Sequence, residues 1–129
     1  MLERELQKGV IDVARILGYR VSAFRPAQTS KGWRTAVQGD VGWPDLCIVG
    51  HGRILFRELK VGRNTLSAEQ VEWIRALKEA GADVGVWTDA NWLSGLIEAE
   101  LKREPKVVSL RQVAEFREWV EATQRGTSL

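Results

Sequence analysis

A chain of 129 residues, 44% hydrophobic and 28% charged, is one ordinary domain that can bury a core without staples, and no second domain is expected. No apolar run approaches the roughly 18 residues of a membrane span, and the charged start Met1-Leu2-Glu3-Arg4-Glu5 lacks the apolar centre of a signal peptide, so a soluble cytoplasmic protein is expected. The net charge of +2 hides an asymmetry: residues 1–63 carry 11 Lys and Arg against 6 Asp and Glu, residues 64–129 carry 8 against 11, and the basic half suits a polyanionic substrate.

Residues 3–17 place Leu6, Val10, Val13, Ala14 and Leu17 at helical spacing before Gly18, which predicts an amphipathic first helix. Glu3 and Gln7 border its apolar stripe near the helix start, where a carboxylate also suits the helix dipole; an ordinary charged first turn reads the same way. Residues 19–24 predict a strand. Residues 25–42 then read as a long loop rich in Gly, Ser, Thr and Gln, a length that in compact domains marks a functional or disordered segment. Its Lys31, Trp33 and Arg34 interleave cations with an aromatic ring, as in surfaces that contact phosphates and stack on exposed bases, although a merely solvated loop carries such residues too.

Two apolar runs, residues 46–49 and 54–56, flank Gly50-His51-Gly52, which reads as a tight turn between antiparallel strands. With His51 and Gly52 as a two-residue loop, Gly50 pairs with Arg53, and counting down the ladder sets Asp45 opposite Glu58. Directly opposed residues share a face, with Cβ atoms about 4.5–5.5 Å apart. Lys60, two residues beyond Glu58, lies on that same face. Like charges opposed across a ladder destabilise it, so the pair needs a cation. Lys60 is one candidate and a divalent metal the other. Carboxylates without a thiolate or imidazole cluster suit a hard ion, Mg²⁺ or Mn²⁺. The competing reading has two exposed strand-end acids balanced by Lys60 and Arg57. His51 is a turn residue, and Cys47 a small buried hydrophobe. Both hairpin faces are apolar, so both are expected to be covered.

Ser67 and Gln70 form a capping box that opens a helix over residues 67–80, with Val71, Ile74, Leu77 and Lys78 on its buried face and Gly81 at its end. Capping alone accounts for Gln70. Residues 84–87 form a strand reached through that helix, which implies parallel pairing and a right-handed crossover. Residues 91–103 and 109–123 predict two more helices, the second opened by Ser109 and Gln112. Its Leu110, Val113, Phe116, Trp119 and Val120 offer apolar positions for packing on the body or on a second subunit.

Gly42-Trp43-Pro44-Asp45, then Arg57-Glu58-Leu59-Lys60, then Leu66-Ser67-Ala68-Glu69-Gln70, resemble the PD-(D/E)XK nuclease superfamily and, within it, the VRR-NUC family; the match covers about residues 3–93. The resemblance implies an α/β, restriction-endonuclease-like αβββαβ core with a mixed sheet flanked by helices over residues 1–104, and a C-terminal helical extension over 105–129. It implies a Mg²⁺- or Mn²⁺-dependent endonuclease that hydrolyses DNA, structure-specific for branched forms such as four-way junctions or flaps, and leaves 5′-phosphates. Asp45, Glu58, Lys60 and Gln70 would be catalytic. The metal would be held by Asp45, Glu58 and the backbone carbonyl of Leu59, with Glu3 matching the family's first-helix carboxylate. Lys31, Trp33, Arg34, Trp43 and Arg63 are the expected nucleic-acid contacts. A homodimer is expected from the resemblance and the apolar C-terminal helix, in a bacterial or phage-infected cell. The alternative is a catalytically silent DNA-binding or interaction module of the same fold.

Overall fold

The computed structural model describes residues 1–24, 27–29, 32–34, 38–103 and 110–125, with side chains described outside 27–29, 32–34 and 110–113. Helix α1 (Glu3–Ile16) leads into β1 (Arg20–Ala23), a small hairpin of β2 (Ala27–Thr29) and β3 (Gly32–Arg34), then β4 (Leu46–Gly50) and β5 (Arg53–Lys60). Helix α2 (Ala68–Glu79) crosses to β6 (Asp83–Thr88), followed by α3 (Asp89–Leu93), α4 (Leu96–Leu101) and α5 (Leu110–Gln124). The main sheet runs β1-β4-β5-β6, antiparallel except for the β5–β6 pair. The expected mixed α/β order is therefore present, with the β2–β3 hairpin inserted where the sequence suggested only loop.

Turn chemistry fixes the central register. His51 and Gly52 both have positive φ, 50° and 73°, the pattern of a two-residue hairpin turn, and Gly50 pairs with Arg53. A non-glycine residue at positive φ needs support. His51 has it: Nε2–H donates to the Leu17 carbonyl at 2.7 Å, and its ring meets Tyr19 edge-on at 4.9 Å.

One sheet face is the core. Leu6, Val10 and Ala14 of α1 pack on Leu46, Ile48, Leu55 and Leu59, and all seven are fully buried. Removing such side chains from water supplies about 1.5–3 kcal/mol each before chain entropy is counted. The opposite face departs from expectation. Val49 and Ile54 are 40% and 55% exposed, so the hairpin is not covered on both sides. Helix α2 connects β5 to β6 and lies on this face, where Arg20, Ser22, Val49 and Ile54 remain exposed. Its packing side is also rotated from the expected one: Trp73, Ile74 and Leu77 are half-buried, whereas Val71 and Lys78 are exposed. Trp73 drives the rotation by meeting Trp43 edge-on at 4.9 Å, and Trp43 in turn meets Phe56 at 5.4 Å.

The single helix expected over residues 91–103 is two, because Gly95 at φ 83° breaks it into α3 and α4. Ser109, half of the last capping box, lies outside the described residues. On α5, Phe116 and Trp119 stack at 6.1 Å and stay exposed, while Ala122 is buried. Among the described residues no helix is long and apolar enough to cross a membrane.

On the core face, Arg57 is 5% exposed and fully engaged. Its guanidinium lies 2.8 Å from Asp83 Oδ1 and 3.5 Å from Glu100 Oε2, donates to the Phe56 and Asp83 carbonyls at 2.9 Å each, and sits 4.9 Å over the Trp87 ring. Trp87 Nε1–H donates to Glu100 at 2.8 Å. Arg57 therefore points away from Glu58 and does not balance it, contrary to the competing reading.

Candidate active site

Asp45 precedes β4 and Glu58 lies within β5, so continuing the observed pairing of Leu46 with Arg57 by one step sets the two acids opposite each other. Asp45 Oδ2 accepts the Leu59 N–H at 2.8 Å, which fixes its carboxylate beside β5. The N–H and C=O of one strand residue project to the same side, so the Leu59 carbonyl also faces the Asp45 side. Glu58 is 2% exposed. Burial, then a hydrogen bond to Asp45 and repulsion from it, push its carboxyl up to about 9, with Glu3 adding and Lys60 opposing. Burial and the neighbouring Asp45 therefore favour the protonated over the ionised form of Glu58.

Gln70 joins this pair through its cap. Ser67 Oγ accepts the Gln70 N–H at 3.2 Å, and Gln70 Oε1 accepts the Ser67 N–H at 2.9 Å. With its oxygen committed to the cap, the side chain can present only its amide NH₂ to the sheet, and Nε2 donates to Glu58 Oε1 at 3.0 Å. Capping and contact with the acid pair are one arrangement, not rival explanations.

Gly42 explains how helix and loop come so close. At φ 102° it lies against the first turn of α2, where an added Cβ would meet the Glu69 carbonyl carbon at 2.7 Å and the Gln70 nitrogen at 2.9 Å. Sequence reasoning did not single out Gly42, although its place just before Trp43-Pro44-Asp45 was the available signal.

Glu3 is half-buried at the start of α1. Burial raises its carboxyl above the usual range, Asp45 raises it further, and Lys60 lowers it, so its charge lies within the electrostatic reach of both. Glu5 instead accepts the Leu2 N–H at 3.0 Å, which separates the two acids by role. Lys60, half-buried, is the cation that eases both Glu58 and Glu3.

Of the expected nucleic-acid contacts, Trp43 and Arg63 have described side chains. Trp43, half-buried, meets Phe56 and Trp73 edge-on. Arg63 is exposed in the β5–α2 turn, which is tied down where the Gly62 N–H donates to Asp89 Oδ1 at 3.2 Å. Trp33 and Arg34 lie on β3, and Lys31 lies outside the described residues. A cavity of about 700 Å³ between residues 39–41 and α2 carries Asp40, Glu69 and Glu72, the wrong sign for a polyanion.

Among the described residues no group of three or more His, Cys, Asp or Glu side chains is arranged to hold a metal ion. The donor set is instead two opposed carboxylates with a backbone carbonyl on the same side. The two acids can share a hydrogen bond only while one keeps its proton. Without that proton the site calls for a cation, and oxygen donors fit a hard divalent ion.

No family model and no curated protein matches the sequence. Among solved structures, one described as "VRR_NUC domain" superposes with a TM-score of 0.58 at 24% sequence identity, covering 74% of this chain and 94% of that one. The helix, mixed sheet, crossover helix and parallel strand that assemble Asp45, Glu58 and Gln70 thus form a fold similar to that of the solved VRR_NUC domain.

Proposed function

We propose that the chain is a Mg²⁺- or Mn²⁺-dependent endonuclease that hydrolyses DNA phosphodiester bonds, acts on branched structures such as flaps or four-way junctions, leaves 5′-phosphates and works in the cytoplasm of a bacterial or phage-infected cell. The observation that carries this reading is the opposed Asp45–Glu58 pair, with Glu58 buried, Asp45 half-buried and the Asp45 carboxylate fixed on the Leu59 N–H. Asp45, Glu58 and the Leu59 carbonyl would hold the metal, with Glu3 at the margin as a further ligand. A divalent ion bound there polarises the scissile phosphate and lowers the pKa of an attacking water. Lys60 orients that water, takes its proton or offsets phosphate charge in the transition state. Gln70 acts on Glu58 as a positioning residue: its capped amide holds the carboxyl toward Asp45. The fold's likeness to a VRR_NUC domain supports the same reading.

The second reading is a silent DNA-binding module, favoured by the absence of a three-ligand side-chain cluster among the described residues. A homodimer through α5 is a further proposal, supported by the exposed Phe116–Trp119 pair; sedimentation as a monomer at micromolar concentration with full activity would remove it. The function is tested by screening single-stranded, duplex, flap and four-way-junction DNA with Mg²⁺ and Mn²⁺, with Glu58→Ala as control. Cleavage by wild type alone is expected. Binding of branched DNA without product in either metal would establish the silent module.

A further inference from the structure

We propose that Phe24 is a stacking platform for an unpaired base of the DNA strand next to the phosphate held at Asp45 and Glu58, an assignment that rests on the nuclease reading above. Phe24 follows β1 directly, and its N–H donates to the Asp45 carbonyl at 3.1 Å. The β1–β4 register continues through this bond, from Ala23 opposite Leu46 to Phe24 opposite Asp45. Asp45 is in turn opposite Glu58. The three residues form one row across the sheet, and their side chains share a face. Neighbouring strands lie about 4.8 Å apart, so the Phe24 ring stands beside the acid pair rather than somewhere else on the surface.

The surroundings favour a nucleotide as the occupant. Phe24 is 41% exposed, and single exposed apolar residues are ordinary. This one, however, shares its sheet face with Val49 and Ile54, which are exposed as well. Arg20 and Ser22, also exposed, alternate with Phe24 along β1 and share that face. Apart from Asp45 and Glu58, no acid stands on this face in β1, β4 or β5. The cavity on the other flank carries three acids. A DNA strand reaching Asp45 and Glu58 is therefore disfavoured on the α2 side and, among the described residues, meets the exposed Phe24 ring on the β1 side. A base inside a duplex is stacked on both faces and offers none to that ring. The ring thus selects a strand that is unpaired beside the cut, such as a flap or an opened branch point, over intact duplex.

The test begins by mapping the wild-type cut site on a flap substrate, then placing 2-aminopurine at each flanking position. Phe24→Ala is expected to raise KM about 5- to 100-fold, the range for losing one base stack, with kcat changed less than about twofold. Phe24→Trp should keep wild-type KM. In a Glu58→Gln background, used for binding without cleavage, 2-aminopurine at one flanking position should be quenched with Phe24 present and not with Phe24→Ala. Phe24→Leu keeps apolar bulk without a flat face and should behave as Phe24→Ala; if it restores KM and quenching, the residue packs rather than stacks. Wild-type KM and quenching in Phe24→Ala, while wild type still cuts DNA, would overturn the Phe24 assignment and leave the nuclease reading intact. A wild type that cuts no DNA in either metal brings down both.

Discussion

Arg57 and Glu58 are consecutive residues of β5, both almost completely buried, and they face opposite sides of the sheet into opposite electrostatic situations. Arg57 meets two acids, two carbonyls and the face of Trp87, so its charge is matched and its donors are used. Glu58 meets another acid, with Lys60 opposing the repulsion and burial favouring the protonated carboxyl. The first cluster has what a structural charge needs. The second has more carboxylates than Lys60 alone offsets, a deficit a bound cation would fill, and perturbed carboxylates of this kind concentrate at functional sites.

The comparison is broken most severely on the Glu58 side. Asp45→Asn and Glu58→Gln are expected to fold and yet lose cleavage by about a thousandfold or more, and Lys60→Ala by about a hundredfold, measured as kcat/KM on a flap substrate. Arg57→Ala should do the reverse. It should lower unfolding stability by about 2–3 kcal/mol in urea titration, less than a fully enclosed ion pair would lose because Asp83 and Glu100 keep contact with water, and should leave kcat nearly unchanged. A loss of activity without a loss of stability in Arg57→Ala would erase the distinction.

The pH dependence sharpens it. Glu58 is raised in the folded protein from an unfolded value near 4.5 to about 9. Between those values the folded state binds the proton and the unfolded state does not, so stability present below pH 4.5 is lost as pH rises toward 9. Metal-free wild type should therefore become less stable across this window, and Glu58→Gln should flatten the slope and exceed wild type at pH 8 by about 1–3 kcal/mol. Added Mg²⁺ should stabilise wild type most at the alkaline end, where the proton no longer occupies the site. Thermal unfolding at several pH values, with and without Mg²⁺, checks all three.

A smaller effect concerns Gln70, which both caps α2 and holds Glu58. Gln70→Ala should cost about 1 kcal/mol of stability and about tenfold in kcat. Ser67→Ala removes the Oγ cap but keeps the residue-67 N–H that orients the Gln70 amide, so it should cost similar stability with a smaller kinetic loss.

The centre of the site was legible because tight-turn chemistry is local. Gly50-His51-Gly52 set the register, and the register alone aligned Asp45 with Glu58. The Ser67–Gln70 cap was equally local, but its link to Glu58 depends on where α2 lands, which no periodicity states. The same holds for the exposed sheet positions: Cys47, Val49, Ile54 and Phe56 read alike in sequence, and only the direction of the crossover decides which of them α2 covers. Arg57 misled because a charge beside an acid in sequence lies on the opposite face of a strand. Glu3 could be separated from Glu5 only by the packing of α1, and the β2–β3 strands are too short for an alternating pattern to show.

The claim that the acid pair is a metal-dependent nuclease centre is tested most directly by cleavage of one flap substrate in Mg²⁺ by wild type and Glu58→Gln, both shown to be folded. Wild type should release a 5′-phosphate product and Glu58→Gln none above background. Equal cleavage by the two proteins would contradict the account.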